Sequence, residues 1–530
     1  MALPAGSDRP LRIGSFRKGD EAMPMEDDPK QAVAKWYALG CREANSGNAA
    51  SAMEHFEQAA RLDPNNPAIL LDLGNACADT GKNLRAAESY RKVLQIDPNC
   101  GSAWNNLGNL FFHLGDMGSA IACYSSAVRL MPTEAIALYS LGRALCATGK
   151  AGEALEHLSR ACDRDPGRAD TWTALGKAHQ HLGHWDQALN CFDHALALAP
   201  DSAEPHVDRA VVLLNQGNFR EGWREYEHRW GTESFRVYSQ RSFGKPEWKG
   251  EPIEGKRILL HSEQGFGDAI QFARFIPAVS AHGAEVFLEI RAPMKDLFGE
   301  LVAPGHLIVA GQPLPNFDFH CSFLSLAGVL GVELASIPGH PYLRVPPAMV
   351  QSAAAALQLT ERERALLRVA LVWKGNPSHR WNAMRSVTPI QLAPLARVAG
   401  IQWYSLQNGA ASKEMKDWPK SFPIMTLPGE YLDGFQRMAA VIQAVDLVIS
   451  VDTAQAHLAG ALGKPVWLLL PLFYEWRWHS HLDNSPWYPS ARLFRQRRPG
   501  EWVEAIEELA EALALLAGAG TAHRTTRTIS

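Results

Sequence analysis

Three stretches of the chain hold residues whose types and spacing could do chemistry. In DLVISVDTAQAHLAGALGKPVWLLL (446–470), an apolar run ends on Asp452 and Thr453, and His457 follows one helical turn later. Asp and Thr cap helices, and a helix start offers unpaired N–H groups and a positive dipole end, so this turn suits an anion. His457 could then donate to a phosphate or a ribose. In SEQGFGD (262–268), Gly265 and Gly267 would let the backbone approach a phosphate. Asp268, with Glu263 in reserve, is a carboxylate able to take a proton from a hydroxyl. In KGNPSHRWNAMRS (374–386), Lys374, His379, Arg380 and Arg385 are dense cations, and Gln407 ends the next strand. Turns at strand ends and helix starts of this kind suit a phosphate or another anion. Each has a plainer role available: Asp452 and Asp268 as helix caps, His457 as a packed helix residue. Asp163 and Asp165 form Asp-x-Asp, the pattern of metal-dependent sugar transferases, but they stand just before Pro166 and read as a helix end. With no metal-ligand cluster in the sequence, no metal or other cofactor is expected.

These residues need elements to hold them. Leu447–Val451 and Val466–Leu470 are apolar runs of strand length, and Ala454 to about Leu462 between them reads as a helix stopped by Gly463-Lys464-Pro465. Such a unit belongs to a parallel sheet, and its strand ends are where open α/β sheets bind ligands. Strands are expected at 257–261, 286–290, 317–320, 369–373 and 402–406, with another starting near Ile424. Helices are expected at 269–281, 351–367 and 435–444, and from Trp502 to about Leu516. The helix at 351–367 would bridge two α/β units, one over 255–350 and one over 351–517. The segment Phe473 to Trp487 is rich in tryptophan and could form an acceptor platform or pack against the last helix.

The first half repeats every 34 residues. Gly40, Gly74, Gly108, Gly142 and Gly176 mark the period, each preceded by a leucine. Ala52, Ala86, Ala120, Ala154 and Ala188 share one slot, and Pro64, Pro98, Pro132, Pro166 and Pro200 another. This is the tetratricopeptide pattern of paired antiparallel helices, covering residues 31–231. A sixth copy is degenerate, with Arg209 and Ala210 in the Leu-Gly slots, and its aromatic FREGWREYEHRW suggests docking against the second half of the chain. Asn75, Asn105, Asn106, Asn109 and Lys177 are inner-groove candidates for a protein or peptide partner. Residues 232–254 read as a linker, and 1–30 and 518–530 as disordered tails.

Composition narrows the classes further. A net charge of −4 gives no footprint for nucleic acid, and no apolar run is long enough to span a bilayer. Seven of eight cysteines precede residue 200 without CxxC spacing, as expected of buried thiols in a reducing compartment, so a cytoplasmic location is expected.

GFGD at 265–268 and VDTAQAHLAGALGKPV at 451–466 resemble the ADP-heptose lipopolysaccharide heptosyltransferase family of GT-B inverting enzymes, over roughly residues 255–500. The resemblance implies two Rossmann-like units behind an all-α tetratricopeptide superhelix, an α plus α/β fold. It implies Asp268 as the catalytic base and Asp452, Thr453 and His457 as donor-binding residues. The family's phosphate-contacting lysine would correspond to Lys374 or Arg385. Repeats ahead of a GT-B pair also resemble the protein O-GlcNAc transferases in architecture. The expected function is inverting, metal-independent transfer from a nucleotide-diphosphate sugar to a protein or peptide selected by the repeats. The alternative is an interaction scaffold with a degenerate GT-B half.

Overall fold

The computed structural model describes residues 28–357, 366–377, 379, 382–472, 476–479 and 482–527. The chain forms two compact units, Met1–Pro132 and Thr133–Ser530. In the first, six helices pair as antiparallel hairpins: Pro29–Asn45 with Ala49–Leu62, Pro67–Asp79 with Asn83–Ile96, and Gly101–His113 with Met117–Leu130. The repeating glycine faces the aromatic ring of its partner helix. A methyl group on Gly40 would lie 2.5 Å from Phe56, and one on Gly108 would lie 2.7 Å from Tyr124. Only a residue without Cβ lets the two helices close to this distance. A second glycine recurs at each hairpin turn with left-handed backbone, as Gly81 (φ 74°) does, because the turn leaves the first helix through that conformation.

The second unit opens with three more helix pairs: Ala135–Ala147 with Ala151–Arg164, Ala169–His181 with Trp185–Leu198, and Ala203–Asn215 with Phe219–Tyr226. The degenerate copy keeps its turn glycine, Gly217 (φ 84°), and Ala210 is fully buried in the glycine's slot. As its aromatic content implies, its second helix docks on the α/β half. The Trp223 ring lies edge-on to Trp476 at 5.2 Å and to Phe272 at 6.0 Å. One hydrophobic cluster accordingly runs from Leu214, Phe219 and Trp223 through Ile258 and Leu288 to Val448 and Leu468.

Two parallel sheets complete the unit. The first holds β1 (Arg257–His261), β2 (Glu285–Ile290), β3 (Leu307–Val309) and β4 (Phe319–Ser322), in the order β3-β2-β1-β4. The second holds β5 (Leu367–Val372), β6 (Ile401–Ser405), β7 (Ile424–Thr426), β8 (Leu447–Val451), β9 (Val466–Leu470) and β10 (Ala491–Arg495), in the order β10-β9-β8-β5-β6-β7. The fold class is thus α plus α/β. Strand order reverses between β5 and β8, so a crevice is expected beyond their carboxyl ends, where Lys374 and Asp452 stand.

Several expectations need correction. The helix expected over 269–281 starts earlier, inside SEQGFGD, as Phe266–Phe272, and after a tight turn resumes as Ile276–Ala281. Asp268 lies in the first turn of Phe266–Phe272 and its Oδ2 accepts the Gly265 N–H at 2.9 Å. The bridging helix is Pro347–Ala356 rather than 351–367: Leu367 already belongs to β5, and residues 358–365 lie outside the described residues. β3 and β10 went unforeseen, because Leu307–Val309 is only three residues long and Ala491–Arg495 carries two arginines among its buried positions. The final helix, Val503–Arg527, continues past Leu516 through most of the expected tail. Residues 1–27 and 528–530 of the expected tails lie outside the described residues, and Pro29 already begins a helix.

Candidate functional site

The two glycine- and aspartate-bearing motifs meet. The helix Phe266–Phe272 packs on the helix Ala454–Ala461, and a methyl group on Gly267 would lie 2.8 Å from His457 Cδ2. Gly267 therefore works first as the contact point between the two α/β halves, since any Cβ there would push them apart.

Asp452 directly follows β8 and is 6% exposed. The Trp478 indole donates to its Oδ1 at 3.1 Å, Arg385 Nη1 lies 3.5 Å from its Oδ2, and His457 Nε2 lies 3.7 Å from its Oδ1. Burial alone would raise the Asp452 pKa, but Arg385, His457, Arg477 and the Trp478 N–H together hold it below the usual carboxylate value. His457 is buried, stacked on Trp478 at 5.2 Å, and its Nδ1 lies 3.0 Å from the Tyr488 hydroxyl. Its pKa is pushed down to about 4, first by burial and then by Arg477 and Arg274 against the pull of Asp452 and Asp268. His457 is thus a neutral imidazole at pH 7. Thr453 stands at the N-cap with its hydroxyl 2.9 Å from that of Ser450, leaving the cap to its backbone.

Arg477, which sequence reasoning missed, ties this group to the first half. Its Nη2 donates to Asp268 Oδ1, and its side chain is 7% exposed. Nothing local announces it: Arg477 sits among tryptophans, and its partner is 209 residues away in sequence. On the other wall, Arg291 follows β2 and its guanidinium stacks 3.8 Å above the Phe266 ring.

The remaining candidates fall into a second layer. Gln407 accepts the Trp373 and Lys374 N–H groups at 3.1 and 3.0 Å and donates back to the Lys374 carbonyl at 3.0 Å. It clamps the β5 loop. Lys374 Nζ pairs with Glu414, which also accepts the Trp373 indole N–H at 3.1 Å. Arg385 packs against Gly375, where a methyl group would lie 2.9 Å from its Nη2. Arg380 and part of the segment Phe473–Trp487 (473–475, 480 and 481) lie outside the described residues. Trp476 and Trp487 are buried against the last repeat instead of forming a platform.

Glu263, the reserve base, points away from this group. It is 2% exposed, 3.4 Å from Arg229 Nη2, and accepts the Leu324 N–H at 3.3 Å. Burial raises its pKa against the pull of Arg229. It is a structural tie between the last repeat and the first sheet. A cavity of about 580 Å³ opens nearby, lined by Trp223, Trp230, Arg224, Glu227, Glu247 and Glu333 among others, and none of the candidate site residues lines it. In the helical repeats, Asn75 accepts from Tyr90 and from Asn106 at 2.8 Å each, Asn109 accepts from Tyr124 at 2.8 Å, and Lys177 lies 2.9 Å from Asp208.

Comparisons with known proteins match the helical repeats and one segment of the α/β half. Tetratricopeptide repeat models match residues 37–100, 100–167 and 145–206. The model for glycosyltransferase family 9 (heptosyltransferase) matches residues 427–470, the segment that contains Asp452, Thr453 and His457. Protein FlbA of Caulobacter vibrioides is 28% identical over 343 residues, 59% of this chain and 55% of FlbA, so the match spans about half of that relative's length. Among solved structures, MamA protein (26% identical, TM-score 0.29) covers 33% of this chain and 96% of its own. The tetratricopeptide protein TTC0263 of Thermus thermophilus (22%, TM-score 0.30) covers 34% and 99%. The chain is a tetratricopeptide repeat array joined to a glycosyltransferase-like α/β half that resembles the heptosyltransferases of family 9.

Proposed function

We propose that the chain transfers a sugar, with inversion, from a nucleoside-diphosphate donor to a hydroxyl of a protein or peptide held by the repeats. The observation that carries this reading is the meeting of the two motifs at Gly267 and His457, which sets a carboxylate of one half beside cations of the other. The acceptor oxygen bonds to the anomeric carbon as that carbon's bond to the diphosphate oxygen breaks. Asp268 takes the hydroxyl proton, and the nucleoside diphosphate leaves with the bonding electrons. Arg385 and Lys374, each shared with a carboxylate, and the amino end of the helix Ala454–Ala461 lend part of the positive charge that the departing diphosphate needs, so the reaction is assigned no metal. His457, neutral at pH 7, donates a hydrogen bond to the donor.

The test is a thermal-shift panel of nucleoside diphosphates and their sugars on the full chain. A ligand present at about 100 times its Kd adds about 2.7 kcal/mol of stability. One nucleotide family is expected to raise the melting temperature. A second reading, a binding scaffold without turnover, is favoured by one observation: Asp452, Thr453 and His457 are only 6, 8 and 5% exposed, so the site is closed by its own side chains. If no nucleotide shifts the melt at millimolar concentration, the scaffold reading stands and the transferase reading falls.

A further inference from the structure

We propose that Arg477 is an exchangeable counterion: without donor it neutralises Asp268, and the diphosphate of a bound nucleotide takes it over, freeing that carboxylate to accept a proton. The inference rests on the donor-site reading above and adds to it how donor arrival prepares the base.

The charges around the junction leave little choice. Lys374 pairs with Glu414, Arg385 faces Asp452, Arg477 holds Asp268, and Arg291 is stacked on Phe266. His457 brings no charge at pH 7. Arg291 lies flat on an aromatic face, whereas the other three are each held by a carboxylate, so a diphosphate that draws on Lys374, Arg385 or Arg477 competes with that carboxylate. Arg385 is the poorer candidate. Taking it would strand Asp452, whose side chain is 9% exposed, as a buried charge without its main partner. Asp268 is 18% exposed, so water or an acceptor hydroxyl can solvate it once the guanidinium leaves. Arg477 also lies close enough to Asp452 and His457 to act on both electrostatically, which places it at the donor side of the junction. Its guanidinium, 4.4 Å over the Trp476 ring, presents a planar fork that fits phosphate as well as carboxylate. Once the guanidinium leaves, the Asp268 Oδ1 that it held is open to the hydrogen of an acceptor hydroxyl.

The two roles are separable by calorimetric titration of the full chain with the nucleoside diphosphates of the common bases and the matching monophosphates. For the nucleotide that binds, Asp268→Asn should tighten the diphosphate by about threefold to tenfold, because Arg477 no longer has a competing partner. Arg477→Ala should weaken it by about tenfold or more, with the monophosphate changed much less. In the double variant the gain from Asp268→Asn should vanish. Arg477→Lys keeps the charge without the fork and should fall between wild type and Arg477→Ala, giving the same comparison if the alanine variant does not fold. If Asp268→Asn leaves the diphosphate unchanged or weaker, or its gain survives in the double variant, Arg477 is not exchanged and this inference fails alone. If no diphosphate binds even the wild type, the donor-site reading fails and takes the inference with it.

Discussion

At the scale of single residues, the site is a balance between burial and charge, and His457 is where that balance can be measured. Its ordinary pKa of 6.5 is lowered to about 4 in the folded chain. The unfolded chain therefore binds a proton below pH 6.5 that the folded chain refuses until about pH 4. Stability contributed by the neutral imidazole is intact above pH 6.5 and is lost as pH falls through that window, by on the order of 3 kcal/mol. Replacing His457 with Gln, which can still reach the Tyr488 hydroxyl, should flatten that part of the melting temperature against pH between 7 and 4. A residual slope of the same sign should remain from buried His261, whose pKa is pushed down to about 3, first by burial. An unchanged pH slope in the variant would mean that His457 is protonated in the folded chain. Single residues were also the least legible level in the sequence. Asp452, Thr453 and His457 announced themselves because a strand, a cap and one helical turn fix their spacing. Arg477 did not, because a contact across 209 residues leaves no period to read.

At the scale of elements, legibility followed burial. β8, β9 and the helix between them lie where their apolar runs put them, since strands buried on both faces are written as unbroken hydrophobic stretches. The GFGD helix was misplaced because its start is set by the Asp268 carboxylate accepting the Gly265 N–H, and a pattern search reads glycines there as loop. That helix also carries a close approach between the two α/β halves, at Gly267. Gly267→Ala would set a Cβ 2.8 Å from the His457 ring, in a site too tightly packed for the ring to retreat. The variant should lose about 1–3 kcal/mol of stability through overpacking. Chemical denaturation would read that loss. Because the new Cβ presses on His457, nucleotide affinity should fall with it, whereas Gly152→Ala, with nothing near its Cβ, should leave affinity unchanged and cost no stability. A Gly267→Ala protein as stable as wild type would mean that the helices yield without strain.

At the scale of the whole molecule, the last three helix pairs and both sheets share one compact unit, and the repeat pattern alone could not show this, since it runs unbroken through residue 132. The reason is the aromatic docking of the sixth copy. Trp223, 4% exposed, donates its indole N–H to the Val332 carbonyl at 3.1 Å and packs on Phe272 and Trp476. Trp223→Ala should cost about 3–5 kcal/mol, and the loss should appear in the melting of the α/β half although the residue belongs to a repeat helix. Removing residues 1–132 should spare nucleotide binding and reduce transfer to a macromolecular acceptor. Removing residues 1–231 should unfold the α/β half, because it strips Phe219, Trp223 and Arg229 from that core. Soluble, nucleotide-binding protein from the longer truncation would refute the shared-core account.

The stacking of Trp478 on His457, with its indole N–H on Asp452, has an optical consequence. An indole's emission responds to the hydrogen bond at its nitrogen and is quenched by a protonated imidazole against its face. Trp478 is thus an unlabelled fluorophore wired into the pair of groups proposed to meet the donor. Subtracting the spectrum of a Trp478→Phe variant isolates its signal from the other tryptophans. Occupancy of the turn should then register as a change in colour and intensity of emission, in real time and without a substrate analogue.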